Sequence, residues 1–125
     1  MDITPGVPEG RQIIERYGAG RFRISGRVFE GSVAVFPNRA ALWPVRQIED
    51  LSAESLADVL DAASEIEFLL IGCGPRLAFI PPGLRQDLRD RGLVIEAMDT
   101  GAACRTFNVL MSEGRMVAAG LIAVD

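Results

Sequence analysis

One stretch constrains the fold more than any other. Ile66-Glu67-Phe68-Leu69-Leu70-Ile71 is a nearly continuous apolar run that stops at Gly72-Cys73-Gly74-Pro75. Such a run suits a central strand covered on both faces, the position found in parallel and mixed sheets. The next segments support that reading. Gly83 to Arg91 has the spacing of a short helix, with Leu84 and Leu88 inward and Gly92 as its stop. Leu93-Val94-Ile95 then reads as a second buried strand. Strand, helix, strand in this order favours a right-handed crossover between parallel neighbours. Asp99 or Thr100 caps a third helix, with Ala103, Phe107, Leu110 and Met111 on its buried side, and Met116 to Val124 closes the chain as an apolar strand.

The front of the chain has a different rhythm. Ile13-Ile14, Phe22-Arg23-Ile24, Val28-Phe29 and Ser32 to Phe36 are short β-favouring runs, punctuated by Ser25-Gly26 and Glu30-Gly31. Alternation in Phe22/Ile24 and Val33/Val35 predicts strands with one exposed face. Ala41 to Val45 is a further extended piece, and Pro44 restricts it to a sheet edge. Ser52 then opens a helix whose apolar stripe is Leu56, Val59, Leu60 and Ala63, opposite Glu54, Asp58, Asp61 and Glu65. The expected fold is therefore α/β: a single domain with a mixed β-sheet and helices packed on it. Its N-terminal half is antiparallel and its C-terminal half βαβ-like. The domain is expected over residues 11–125, with a flexible Pro- and Gly-punctuated segment over 1–10.

Composition narrows the chemistry. All thirteen basic residues are Arg, and the chain has neither Lys nor His. Without His there is no Ser-His-Asp or Cys-His arrangement and no imidazole metal ligand; without Lys there is no Schiff base and no Walker-type phosphate loop. No metal or other cofactor is expected. A net charge of −4 argues against nucleic acid or an anionic membrane surface as partner. No apolar run approaches the roughly 20 residues of a membrane span, so no membrane insertion is expected. The first residues lack the basic and apolar regions of a signal peptide, and Cys73 and Cys104 make no disulfide framework. The expectation is a cytoplasmic protein with both cysteines as thiols.

Two groups of residues are candidates for chemistry. Gly72, Cys73 and Gly74 follow a buried strand at its carboxyl end, where ligands usually bind in open α/β sheets. The same glycines also suit a simple turn, and a lone Gly-x-Gly is a weak dinucleotide signal. Cys73 has Arg76 nearby in sequence to favour a thiolate, yet no His to act as base, and a packed, inert thiol is the alternative. The second group is Asp99 and Thr100 at a helix start, with Arg105 and Asn108 further along the helix. Together they read either as a small polar pocket or as structural parts: a cap, a buried Asn tied to backbone, and a Glu113–Arg115 pair bracing the turn at Gly114.

The same stretches carry a family resemblance. Gly72-Cys73-Gly74 after Leu69-Leu70-Ile71, Glu96-Ala97-Met98-Asp99-Thr100, Ala103 to Leu110 and Glu113-Gly114-Arg115 resemble the characteristic blocks of a small, widely distributed domain family. Tyr17, Phe22-Arg23-Ile24, Gly31-Ser32-Val33 and Trp43 fit its front half. The family includes the mitochondrial assembly factor three of complex I, NADH:ubiquinone oxidoreductase. Cys73 stands where Thr is common and Phe107 where Tyr is common. The resemblance implies a compact mixed-sheet domain with no agreed catalytic residues, and the missing transit segment fits a bacterial member.

The leading expectation is a non-catalytic interaction module assisting assembly of a respiratory or other multisubunit complex, with respiratory-complex subunits as partners. It requires an exposed apolar patch, which the C-terminal strand or the Phe22–Phe36 hairpins would supply. The alternative is a small-ligand binder or an enzyme using the Gly72–Gly74 and Asp99–Thr100 loops. Self-association as a homodimer is a third expectation.

Overall fold

In the computed structural model of the chain, residues 10–125 are described; the expected flexible segment over 1–10 lies, apart from Gly10, outside them. Among the described residues, eight strands form two sheets. The first is antiparallel, order β1-β2-β3, from Ile14–Gly18, Arg21–Ile24 and Arg27–Glu30. The second has five strands: β4 (Val33–Val35), β5 (Ala40–Leu42), β6 (Leu69–Gly72), β7 (Ile95–Met98) and β8 (Ala118–Leu121), in the order β5-β4-β8-β6-β7. β4 pairs antiparallel with β5 and β8, whereas β6 runs parallel to both β7 and β8. The fold is a mixed α/β domain, antiparallel in front and βαβ-like behind, and β8 joins the halves.

Three layers result. On one face of the five-stranded sheet, α3 (Thr100–Ser112) and the small sheet bury Ile14, Phe22, Ile24, Phe107 and Met111 against Val33, Val35, Leu70 and Leu121. On the other face, α1 (Ala57–Asp61), α2 (Pro82–Asp90) and the chain around Trp43 cover Ala34, Leu69, Ile71 and Ala118. β6 is buried along its whole length, as its run of apolar residues predicts. Its strand starts only at Leu69, because Glu67 is exposed and its carboxylate takes the Arg115 guanidinium at 2.7 Å and the Met116 amide at 3.2 Å.

Four readings from local pattern are corrected. β4 is buried on both faces, not one, since Ala34 packs into the second layer while Val33 and Val35 face the first. The second buried strand is not Leu93 to Ile95 but Ile95–Met98, and it is an edge: Val94 and Glu96 are exposed. The helix opened by Ser52 is broken into a 3₁₀ turn (Glu54–Leu56), the five-residue α1 and a second 3₁₀ turn (Ala63–Glu65). Short apolar spacing there serves to plug Leu56 and Val59 into the sheet, which needs only single turns. Arg115 pairs with Glu67, not with Glu113.

Candidate functional site

β6 leads to α2 on one face of the sheet, and its neighbour β7 leads to α3 on the other. The carboxyl ends of these parallel strands therefore flank a point where the chain diverges to opposite sides, the usual ligand position in open α/β sheets. Gly72, Cys73 and Gly74 lie on one lip and Asp99 and Thr100 on the other. The two loops meet at the same end of the sheet.

Their polar groups are used on one another. The Thr100 hydroxyl accepts from the Gly74 amide at 2.9 Å and donates to the Ile122 carbonyl at 2.7 Å. The Thr100 amide donates to the Gly74 carbonyl at 2.8 Å, and the Cys73 amide to the Met98 carbonyl at 2.8 Å. Close approach explains Gly72: a Cβ there would sit 3.0 Å from the Thr100 Cα. Gly74, at φ +105°, holds a conformation that other residues rarely adopt. Asp99 caps α3 through the Ala102 amide at 3.1 Å, and the Thr100, Ala102 and Ala103 amides are all spent on the chain itself.

The remaining candidates are equally engaged. Asn108 is buried in α3, where its Oδ1 accepts from the Ile14 amide at 2.9 Å and its Nδ2 donates to the Ile14 carbonyl at 2.8 Å. It replaces a strand partner for β1 and pins the small sheet to α3. Arg105 is exposed and donates to the Tyr17 hydroxyl at 3.3 Å. Cys73 is buried with its thiol 3.8 Å from the Ile71 carbonyl, and burial pushes the Cys104 thiol up to about 12. Among the described residues no group of three or more His, Cys, Asp or Glu could hold a metal ion.

Replacing Thr100 tests how firmly the two loops are joined. Thr100→Val keeps the shape but leaves the Gly74 amide and the Ile122 carbonyl without their partner. Each of the two orphaned buried groups costs about 1–3 kcal/mol, so a loss of at least about 2 kcal/mol is expected. Urea denaturation reads this as a lower midpoint at unchanged slope. A midpoint that does not move would mean that the hydroxyl does not hold the loops together.

Apolar exposure lies elsewhere. β8 is central and buried, and among the residues of the hairpins only Val28 is a large exposed apolar side chain, so neither supplies the expected patch. The exposed pair is Leu77 and Phe79, at 66% and 77%, between Pro75 and Pro81. With Ala97, Glu96 and Arg85 they line a groove of about 540 Å³ along β7. The Val94 and Met98 carbonyls turn inward to the Leu69 and Cys73 amides. By alternation, Ile95 and Ala97 point their backbone groups outward, and the Ile95 carbonyl takes the Arg85 guanidinium at 2.8 Å. Leu77 and Phe79 were visible in the sequence as alternate apolar residues in a proline-bounded segment, but only the fold places them beside a sheet edge.

A family model described as a protein of unknown function, DUF498/DUF598, matches residues 14–122. The NADH dehydrogenase (ubiquinone) 1 alpha subcomplex assembly factor 3 of Xenopus tropicalis is 38% identical over 109 residues, covering 87% of this chain and 60% of that protein. An uncharacterized protein of Rhodobacter capsulatus is 37% identical over 109 residues, covering 87% of this chain and 82% of that one. The crystal structure of an outer membrane protein from Bartonella henselae superposes with a TM-score of 0.85 at 38% identity, over 96% of this chain and 100% of that chain. The chain spans about three fifths of the length of the relatives that carry the assembly-factor name. On these matches, which run from β1 to just past β8, the chain belongs to the DUF498/DUF598 family.

Proposed function

We propose that the chain is a non-catalytic interaction module that assists assembly of a multisubunit complex, with subunits of an NADH:ubiquinone oxidoreductase as its partners. The observation that carries this reading is the β7 edge with exposed Leu77 and Phe79 beside it. A sheet edge with outward backbone groups and flanking apolar side chains is the geometry by which a partner's extended segment adds a strand. The relatives named as assembly factors support the choice of complex. No helix among the described residues is long and apolar enough to cross a membrane. Action from the cytoplasm is part of the proposal.

The test is affinity capture of the tagged chain from its own cells, read by native mass spectrometry, beside a Leu77→Ser, Phe79→Ser double variant. Both side chains are exposed, so the variant is expected to fold. Oxidoreductase subunits on the wild type, reduced at least about tenfold on the variant (near 1.4 kcal/mol of binding), are the expected result. An eluate holding only this chain and a stoichiometric small molecule would overturn the reading in favour of a ligand at the Gly72–Gly74 and Asp99–Thr100 loops. Equal capture by both proteins would remove the β7 edge from it.

A further inference from the structure

A second surface lies on the small sheet, away from β7. In this acidic chain, residues 14–30 hold four arginines (Arg16, Arg21, Arg23, Arg27) against two glutamates (Glu15, Glu30). β2 alternates: Phe22 and Ile24 turn into the core, so Arg21 and Arg23 stand on the outer face. The register sets Arg16 opposite Arg23 and Arg23 opposite Val28 in one cross-strand row. Gly18, Arg21 and Glu30 form the next row. Gly18 contributes no side chain to its row, and a groove of about 580 Å³ opens there, lined by Arg16, Arg21, Arg23 and Val28 among others.

We infer that this groove binds an extended acidic segment of a partner protein, one with carboxylates at alternate positions. Arg21 and Arg23 are two residues apart on one strand, about 7 Å along it. Alternate side chains on one face of an extended peptide repeat at the same spacing, so successive carboxylates meet successive guanidiniums. Both β2 arginines already hold carboxylates from the chain itself: Glu30 lies 3.1 Å from Arg21, and Glu15 3.4 Å from Arg23. The Arg21–Glu30 pair is solvent-exposed and worth little, so an incoming bidentate carboxylate displaces it at small cost, while Glu15, half-buried and also accepting the Gly26 amide at 2.7 Å, engages Arg23 through Nε.

The occupant is protein in preference to nucleic acid for two reasons. Glu30 and Glu15 on this sheet, and the net charge of −4, oppose a long polyanion more than a short acidic segment. Val28, 59% exposed at the end of the Arg16–Arg23 row, offers apolar contact to the aliphatic stem of an acidic side chain seated in that row. The inference does not rest on the β7 edge, and loss of Leu77 and Phe79 leaves this surface untouched.

The probe is a short synthetic peptide with Glu at every second position and Ser or Val between, measured by fluorescence anisotropy at low and moderate salt. Controls are its all-Gln version and a single-stranded oligonucleotide of similar charge. The Glu peptide is expected to bind in a salt-dependent manner and the Gln peptide not to bind. Arg21→Gln with Arg23→Gln is expected to weaken binding about tenfold or more (near 1.4 kcal/mol), with circular dichroism unchanged. Glu30→Gln, which removes the internal competitor, is expected to tighten it by a few-fold. Absence of Glu-peptide binding, binding indifferent to the paired arginine variant, or an oligonucleotide that binds tighter with the same arginine dependence would each overturn the inference.

Discussion

Asn108→Ala is expected to destabilise the folded chain by about 4 kcal/mol, enough to remove a large share of the stability of a domain this size. The side chain is 1% exposed and its whole hydrogen-bonding capacity toward β1 is spent on one residue, Ile14, itself fully buried. Truncation orphans the Ile14 amide and carbonyl together, at about 1–3 kcal/mol each, and leaves a small cavity that the packed layer closes only in part. The strand next to it is held on its other side by β2 alone, so release of β1 loosens the small sheet as a unit. Urea denaturation measures the effect, and hydrogen exchange at the Ile14 amide localises it. A loss below about 1 kcal/mol, or an Ile14 amide that stays protected, would mean that β1 does not depend on this anchor.

The second large effect is expected in alkali. Burial pushes the Cys104 thiol from 9.0 up to about 12; Arg105 opposes the rise and Asp99 adds to it. Below pH 9.0 both folded and unfolded chains keep the proton, and the thiol's contribution is fully present. Between pH 9.0 and about 12 the unfolded chain releases its proton while the folded one does not, so stability falls as pH rises. At about 1.4 kcal/mol per pH decade, the accumulated loss approaches ~4 kcal/mol. Denaturation of wild type beside Cys104→Ala isolates it, since other groups titrate alike in both. The wild-type curve is expected to fall more steeply over this window, and a constant offset between the two would contradict the burial of the thiol. The same burial predicts that Cys104 resists alkylation until the chain is unfolded.

Much of the local structure was legible because it is set by neighbours in sequence. The Leu69–Ile71 run ending in glycine announced a doubly covered strand, and β6 is one. Gly83 to Arg91 marked a helix that lies one residue earlier, over Pro82–Asp90. A cap at Asp99 or Thr100 was readable because a short acceptor side chain before a helical stripe has few other uses, and Asp99 is the residue that caps. The family was legible in the Glu96–Arg115 block. The break in the helix after Ser52 was not legible, because apolar spacing suits both a continuous helix and successive single turns.

Residue order was enough to set the α/β class, the position of the buried strand, the capped third helix and the absence of His and Lys chemistry. Folding in three dimensions was needed to slot β8 between β4 and β6, to leave β7 as the open edge beside Leu77 and Phe79, and to bring Glu67 to Arg115. It was also needed to commit the hydrogen bonds of Thr100 and Asn108 to distant backbone instead of leaving them free. The division has a physical cause. Strand and helix signals arise from side-chain periodicity within a few residues, whereas sheet order and polar partnership depend on which faces of remote segments fit together. Two buried groups 94 residues apart carry no mark of each other until the chain has folded.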